Sequence, residues 1–393
     1  MDMDNRRDFS SRRRFLQKSA LASVSWAPLL LTQKFLGDAI FTLQQERSLP
    51  MLDPNAEVRI GLIGVTGNPD SVMNAIPNIP GARLAAFALG DWERELRNQE
   101  IGQSEFDRIQ GYSAFNDKTR VYRSYQQMLA KENLDVVASC LPNGLNAHAS
   151  MAAAQRRCHI ASEKPMAADL KTLTTLKSVV NKAKVQMTAL LDMRQSPGVA
   201  AMRKAIAAGL IGEPILAFAE VSPDSEREYS HRHHDGFGNP TSSFSIQGLD
   251  CLSYTTGLQI TQVSALRENR NATASTTNQG SPAMLLRLSN GATGIVSIGS
   301  LPSVAGQAHA DDRLRVTGTL GCVEMRSGKV QLITEHHPPQ ELPLTAQGSI
   351  LENFVALLRG QRSTVATAEE AFEVARIGLL ARQAAEEARV ILV

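Results

Sequence analysis

Residues Val58–Asp70 read V-R-I-G-L-I-G-V-T-G-N-P-D, and this stretch constrains the fold more than any other. An apolar run carrying the β-branched Val58, Ile60 and Ile63 meets closely spaced glycines, Gly61, Gly64 and Gly67. That pattern is a buried parallel strand turning sharply into a helix. Small residues at the corner let backbone N–H groups approach a phosphate, and the helix dipole favours the anion. The full fingerprint G-x-G-x-x-G is absent: counted from Gly64, its later glycines fall on Thr66 and Pro69. By itself the corner is either a nucleotide site built on Gly64, Thr66, Gly67 and Asn68 or an ordinary strand–turn–helix. The residues beyond it have to decide.

Downstream of the corner, strands and helices alternate with short connections, which implies a doubly wound parallel sheet. A helix is expected over Pro69–Ile79 and a strand over Ala82–Leu89, closing on Gly90-Asp91. Asp91 lies where a nucleotide fold keeps an acid for the adenosine ribose, and it serves equally well as the N-cap of the next helix. Arg94 and Arg97 would instead meet a ribose phosphate, so NAD and NADP both stay open. Residues 98–119 read as a connection with a short helix, and Val121-Tyr122 leads into a helix at Ser124–Lys131. Leu134–Leu141 is a buried strand ending at Pro142-Asn143. A helix comes next over Asn146–Arg156, then a strand over Cys158–Ser162 that ends in Glu163-Lys164-Pro165.

With 393 residues the chain has material for two domains, a dinucleotide-binding one over 57–190 and an α+β one over 191–393. In the second, strands are expected at Ile215–Val221, Thr261–Leu266, Ala283–Ser289, Thr293–Ile298, Leu314–Thr319 and Cys322–Arg326. Asn290-Gly291 between two of them signals a hairpin with both turn residues at positive φ, so this sheet is largely antiparallel and open. Charge is balanced, 41 Lys+Arg against 39 Asp+Glu, and nothing in it favours nucleic acid. No apolar run reaches the ~18 residues of a membrane span.

The basic excess sits at the front, where Arg6, Arg7, Arg12, Arg13, Arg14 and Lys18 face Asp2, Asp4 and Asp8. A modest apolar run, Ser19–Leu31, comes after it, and the pair reads as an export signal over 1–39, with 40–56 as lead-in. The alternative is a plain basic tail. Ser11-Arg12-Arg13-Arg14-Phe15-Leu16-Gln17 resembles the twin-arginine motif, with Gln17 in place of the usual Lys. The expected location is periplasmic or otherwise exported from a bacterial cell, with the twin-arginine machinery as partner. That route carries folded proteins, which suits an enzyme loaded with nucleotide. Cys140, Cys158, Cys251 and Cys322 show no metal spacing and read as buried thiols. His231, His233 and His234 share one polar loop, read as a cleft mouth, and no metal is expected.

The order of glycine corner, strand ending C-L-P-N, Ala-rich helix, strand and E-K-P resembles the Gfo/Idh/MocA family of nicotinamide-dependent oxidoreductases. The likeness continues through Met193-Arg194-Gln195-Ser196-Pro197 and Ala208-Gly209-Leu210-Ile211-Gly212-Glu213-Pro214. It reaches Arg315-Val316-Thr317-Gly318-Thr319-Leu320-Gly321 and the closing helices at Leu351-Glu352-Asn353-Phe354 and Ala366–Glu387, so it covers roughly residues 56–390.

The resemblance implies a bound NAD or NADP near Gly64, Thr66, Gly67, Asn68, Asp91, Leu141, Pro142, Asn143, Glu163 and Lys164. It implies a sugar-like or polyol substrate handled by hydride transfer, and a homo-oligomer formed through the second domain's sheet face. It places the Lys164 ammonium near the substrate hydroxyl, where it would steady an alkoxide, with Glu163 fixing that end of the strand. A helix around Gln247–Thr256 would face the nicotinamide cleft. Arg194, Tyr229, His233, His234 and Asp250 stand as candidate substrate contacts. The family's D-x-G-x-H-x-x-D segment matches Ser243-Phe244-Ser245-Ile246-Gln247-Gly248-Leu249-Asp250, so Gln247 replaces the proton-carrying His and Ser243 its acidic partner. Leu89 falls where the usual ribose acid would, and Asn146 replaces a common His. A glutamine hydrogen-bonds a hydroxyl but does not accept its proton near neutral pH. Two readings result: an active oxidoreductase using Lys164 with Tyr229, His233 or His234, or a catalytically impaired relative that binds or senses a nucleotide or sugar.

Overall fold

The strand Val58–Ile63 (β1) sits at the centre of the first sheet in the computed structural model, which describes residues 52–89, 106–142, 144–222, 240–266, 283–298, 312–335 and 337–393. Ala82–Ala88 (β2) and Arg120–Tyr122 (β3) lie on one side of it. Val136–Ser139 (β4), His159–Ser162 (β5) and Met187–Ala189 (β6) lie on the other. All six are parallel in the order β3-β2-β1-β4-β5-β6, so the strand order reverses between β1 and β4. Every residue of β4, β5 and β6 is buried, as a parallel sheet covered on both faces requires. The carboxyl ends of β1 and β4 therefore open the crevice in which such sheets bind ligands.

Helix α1 (Pro69–Ala75) starts on Asn68, whose side chain accepts the Ser71 N–H, and Pro69 fits the first turn because no bond is lost there. The helix expected to reach Ile79 tightens instead into a 3-10 turn at Ile76–Asn78. Pro77 has no N–H to continue the α-helical ladder. Helices α2 (Tyr125–Lys131), α3 (Asn146–Gln155), α4 (Leu170–Ala183) and α5 (Pro197–Ala207) come next, with Ser124 and Asp169 capping α2 and α4.

The second sheet is built from β7 (Pro214–Val221), β8 (Ile260–Leu266), β9 (Ala283–Leu288), β10 (Thr293–Ile298), β11 (Arg313–Gly318) and β12 (Gly321–Arg326). Three strands beyond the expected set extend it: β13 (Lys329–Thr334), β14 (Gln340–Glu341) and β15 (Ile391–Leu392). Pairing is antiparallel except between β7 and β10. The Asn290-Gly291 hairpin joins β9 and β10 by a different turn from the one expected. Leu288 pairs with Ala292 across a three-residue loop, and of the two turn residues Gly291 alone takes positive φ, at 87°. A type I turn closed by a left-handed glycine needs only that one.

Helix α6 (Pro240–Thr256), which begins seven residues before the expected Gln247, covers the inner face of this sheet with α8 (Ala368–Glu387). A Cβ on Gly248 would come within 2.6 Å of Val296 Cγ1, so α6 lies close on β10. Helix α7 (Ile350–Leu358) comes late in the chain yet packs on α1, burying Ile350, Leu351, Phe354 and Val355 with Val58, Leu62 and Met73. The four cysteines are free and buried, as expected.

Candidate active site at the glycine corner

The corner is shaped by contacts between strands before any ligand is considered. Gly64 has φ 86°, and a Cβ there would fall 2.2 Å from the Cys140 carbonyl oxygen. Thr66 N–H donates to that same oxygen at 2.9 Å, and Gly64 N–H to Ala88 O at 2.8 Å. The close approach that glycine permits at position 64 is thus to the β4 backbone, not to a phosphate as the sequence suggests. Gly67, at φ 83°, serves the other side: a Cβ would lie 2.5 Å from Glu163 Cγ. Asn68 N–H donates to Glu163 Oε2 at 3.1 Å. The corner and the end of β5 are one unit.

Glu163 and Lys164 are buried and joined by a 2.9 Å ion pair, Lys164 Nζ to Glu163 Oε1. The Lys164–Pro165 peptide is cis. On the other side of Asn68 stands Asp192, in the 3-10 turn Asp192–Gln195 after β6. Its Oδ2 accepts Asn68 Nδ2 at 2.9 Å and its Oδ1 accepts Ser71 Oγ at 3.1 Å. Burial pushes the Asp192 carboxyl above the ordinary carboxylate range, with the Lys164 charge pulling it back and Glu163 adding to the rise. Nothing in the sequence singles out Asp192: a lone acid in a short loop has no periodicity, and its partner Asn68 is 124 residues away.

The segment after β4 is clamped by Asn146. Its Oδ1 accepts Leu141 N–H at 3.0 Å and Ser139 Oγ at 2.8 Å, and its Nδ2 donates to Leu141 O at 3.0 Å. Leu141 and Pro142 are buried beside the corner. Where the resemblance leads one to expect a histidine, the amide has a structural task, because only a side chain with both donor and acceptor closes that loop.

Arg194 and Asp250, expected at the substrate, are instead bound to each other. Arg194 Nε and Nη2 reach Asp250 at 2.7–3.0 Å, and Nη1 lies 3.4 Å from Glu370 Oε2. The guanidinium stacks on Tyr254 at 4.6 Å, with Arg203 on the same ring at 4.3 Å. Burial weighs against the Arg194 charge, yet the Asp250 carboxylate holds its pKa above the ordinary value. This pair ties the 3-10 turn to α6.

Gln247 lies on α6 one turn before Asp250 and is 5% exposed; its Oε1 is buried with no hydrogen-bond donor among the described residues. A buried acceptor left open in this way marks a place where a ligand donor belongs. Asp91, Asn143, Tyr229, His233 and His234 lie outside the described residues. Among the described residues no group of three His, Cys, Asp or Glu is placed to hold a metal.

The residues present fit a dinucleotide. The corner stands at the reversal of strand order, Gly67 keeps a cradle that a Cβ would fill, and the acceptor on Gln247 awaits a donor.

Comparison with known proteins divides the chain in the same way. The family model described as oxidoreductase family, NAD-binding Rossmann fold, matches residues 58–190, and that of the GFO/IDH/MocA C-terminal domain matches 199–324. An uncharacterized oxidoreductase of Rhizobium meliloti, ORF334, is 27% identical over 170 residues, which span 42% of this chain and 47% of that protein. A Thermotoga maritima protein described as a candidate oxidoreductase superposes with a TM-score of 0.72 at 25% identity, over 86% of this chain and 100% of that one. Levoglucosan dehydrogenase, solved with NADH and L-sorbose, superposes at 0.69 with 17% identity over 86% and 99%. With both family domains matched in order over a parallel nucleotide-binding sheet and a mostly antiparallel second one, the chain belongs to the Gfo/Idh/MocA oxidoreductase family.

Proposed function

We propose that this protein is an exported NAD(P)-dependent oxidoreductase acting on a hydroxyl or carbonyl carbon of a sugar-like or polyol substrate. The observation that carries the reading is the buried Lys164 ammonium, fixed by Glu163 beside the glycine corner. A nicotinamide dinucleotide held against Gly64, Thr66, Gly67 and Asn68 supplies the hydride chemistry. Lys164 contributes the positive charge that steadies an alkoxide in a dry cleft. Gln247 Oε1 accepts a hydrogen bond from the substrate hydroxyl and orients it, without taking its proton. The sugar-like substrate draws on the fold shared with levoglucosan dehydrogenase. Absorbance of the purified protein tests the proposal: a reduced-nicotinamide band, bleached by members of a sugar and polyol panel, is expected.

One observation favours a second reading. The position of the family's proton carrier holds an amide whose acceptor is open and whose chemistry ends at hydrogen bonding. A nucleotide- or sugar-binding protein without turnover would leave that spectrum clean and unresponsive.

Export draws on the Ser11–Gln17 string, which lies outside the described residues. Replacing Arg12 and Arg13 with Lys should retain the protein inside the cell; undiminished periplasmic yield would count against the signal. Homo-oligomer formation through the outer face of the second sheet draws on Leu216, Leu266 and Leu285, which stand exposed there. Light scattering on a Leu285→Glu variant should give a smaller particle than wild type.

A further inference from the structure

Asn68 is held between two carboxylates. Its backbone N–H donates to Glu163 Oε2 at 3.1 Å, and its side-chain amide donates to Asp192 Oδ2 at 2.9 Å. The one ammonium of the group, Lys164, bonds Glu163 at 2.9 Å. Asp192 is held by neutral donors only, the Asn68 amide and the Ser71 hydroxyl at 3.1 Å. The other charges packed around this turn are already engaged. Arg194 is bound to Asp250 and Glu370, Asp70 on α1 to Arg108, and Glu352 on α7 to its own N-cap. Two negative charges thus stand against one positive charge beside the glycine turn.

We infer that Asp192 is the proton acceptor of the corner: it takes up a proton from solvent when the dinucleotide's diphosphate docks there, so docking tightens in acid. The inference rests on the reading that the dinucleotide lies against Gly64–Asn68. A third source of negative charge at the turn repels both carboxylates, and the relief falls to the one without a bonded cation. Asp192 already stands above the ordinary carboxylate range through burial, so neutralising it asks least of the fold. Once protonated, its O–H donates to Ser71 Oγ, a hydroxyl that accepts as readily as it donates, and Asn68 keeps its bond to the remaining oxygen. The sign comes from linkage: a group that binds more protons in the complex makes affinity fall as pH rises.

Titration calorimetry of the full chain with NADH, from mildly acidic to mildly alkaline pH in two buffers of unlike ionisation enthalpy, reads the uptake directly. The wild type should take up nearly one proton per NADH where affinity falls about tenfold per pH unit. Asp192→Asn, with its melting temperature as the check on folding, should lose the uptake and bind with nearly flat pH dependence. Ser71→Ala, which removes one donor to the carboxylate, should move the uptake to higher pH. A buffer-independent enthalpy in the wild type, uptake that survives in Asp192→Asn, or an unmoved profile in Ser71→Ala overturns the inference while the docking site stands. Absence of NADH binding at every pH overturns the docking reading itself, and the inference with it.

Discussion

Two buried ion pairs lie within a few residues of the 3-10 turn at Asp192–Gln195, and they are built oppositely. Glu163–Lys164 joins sequence neighbours at the end of β5, with side chains 3% and 5% exposed. Arg194–Asp250 joins residues 56 positions apart, with side chains 4% and 2% exposed. In the second pair the guanidinium meets the carboxylate through two nitrogens and stacks on an aromatic ring, so its bonding capacity is directed into the fold. The first rests on a single Nζ–Oε1 contact, and the other Glu163 oxygen is given to the glycine turn. Equal burial therefore carries unequal meaning. A long-range bidentate pair braces two elements, whereas a neighbouring pair on a strand end, facing a glycine corner, presents a charge to whatever occupies the crevice.

The largest effect expected from this contrast is kinetic. If the protein turns over, Lys164→Ala should lower the rate by about 10²–10⁴, since no other described cation stands at the corner, while NADH affinity changes little. Steady-state kinetics beside calorimetry reads both. Full wild-type activity in the variant would remove Lys164 from the chemistry, whichever function holds.

Arg194→Ala should act on the fold instead. It strands the Asp250 carboxylate in the interior, a change that destabilises by about 3–5 kcal/mol. Urea unfolding should show the loss, while NADH affinity measured well below the midpoint is retained. A variant that melts like wild type but loses substrate binding would return Arg194 and Asp250 to the ligand site where the sequence first places them.

The two pairs also mark how far the sequence can be read. β1 has the expected bounds, and the E-K-P segment ends β5, because an apolar run stopped by polar residues is a local signal. The hairpin at Ser327-Gly328 gives no such signal. Both residues adopt positive φ, 50° and 74°, but serine is not a residue that announces that geometry. β14 and β15 have two residues each and exist only through their partners, so no pattern within them could reveal them. At the site, the strings at 64–68 and 163–165 are legible as motifs. Their junction through Asn68, Glu163 and Asp192 is not, since hydrogen bonds 95 and 124 residues long leave no trace in spacing. Arg194 and Asp250 stand out by their charge, and charge alone does not say whether a partner is a ligand or the fold.

A pair of glycine variants gives a smaller and sharper test of the corner. Gly67→Ala meets both a left-handed backbone and the Glu163 side chain at 2.5 Å, so about 1–3 kcal/mol of stability and a clear part of NADH affinity should go together. Gly291→Ala has the same sign of φ, 87°, with nothing within 4 Å of the added methyl. It should lose only about 1 kcal/mol, with NADH binding untouched. Equal effects on binding would mean that Gly67 matters for its backbone alone and that contact with Glu163 is incidental.

The smallest effect concerns Gln247, whose open acceptor belongs to neither pair. Buried and undonated in the protein alone, Oε1 is a local penalty that a ligand relieves. Gln247→Leu removes that penalty at similar volume, so the ligand-free protein should melt at the wild-type temperature or slightly above it, by the equivalent of about 1 kcal/mol, while substrate affinity falls. Gln247→His restores a ring able to carry a proton but not the carboxylate that would orient it, since position 243 holds serine. Alone it should give at most a modest gain in turnover, and more when combined with Ser243→Asp. Turnover in that double variant from an inactive wild type would establish the binding reading, with a dehydrogenase frame whose proton relay is missing. A ligand-free Gln247→Leu protein that melts well below wild type would instead show that Oε1 has a partner within the fold, and the acceptor would no longer mark the substrate's place.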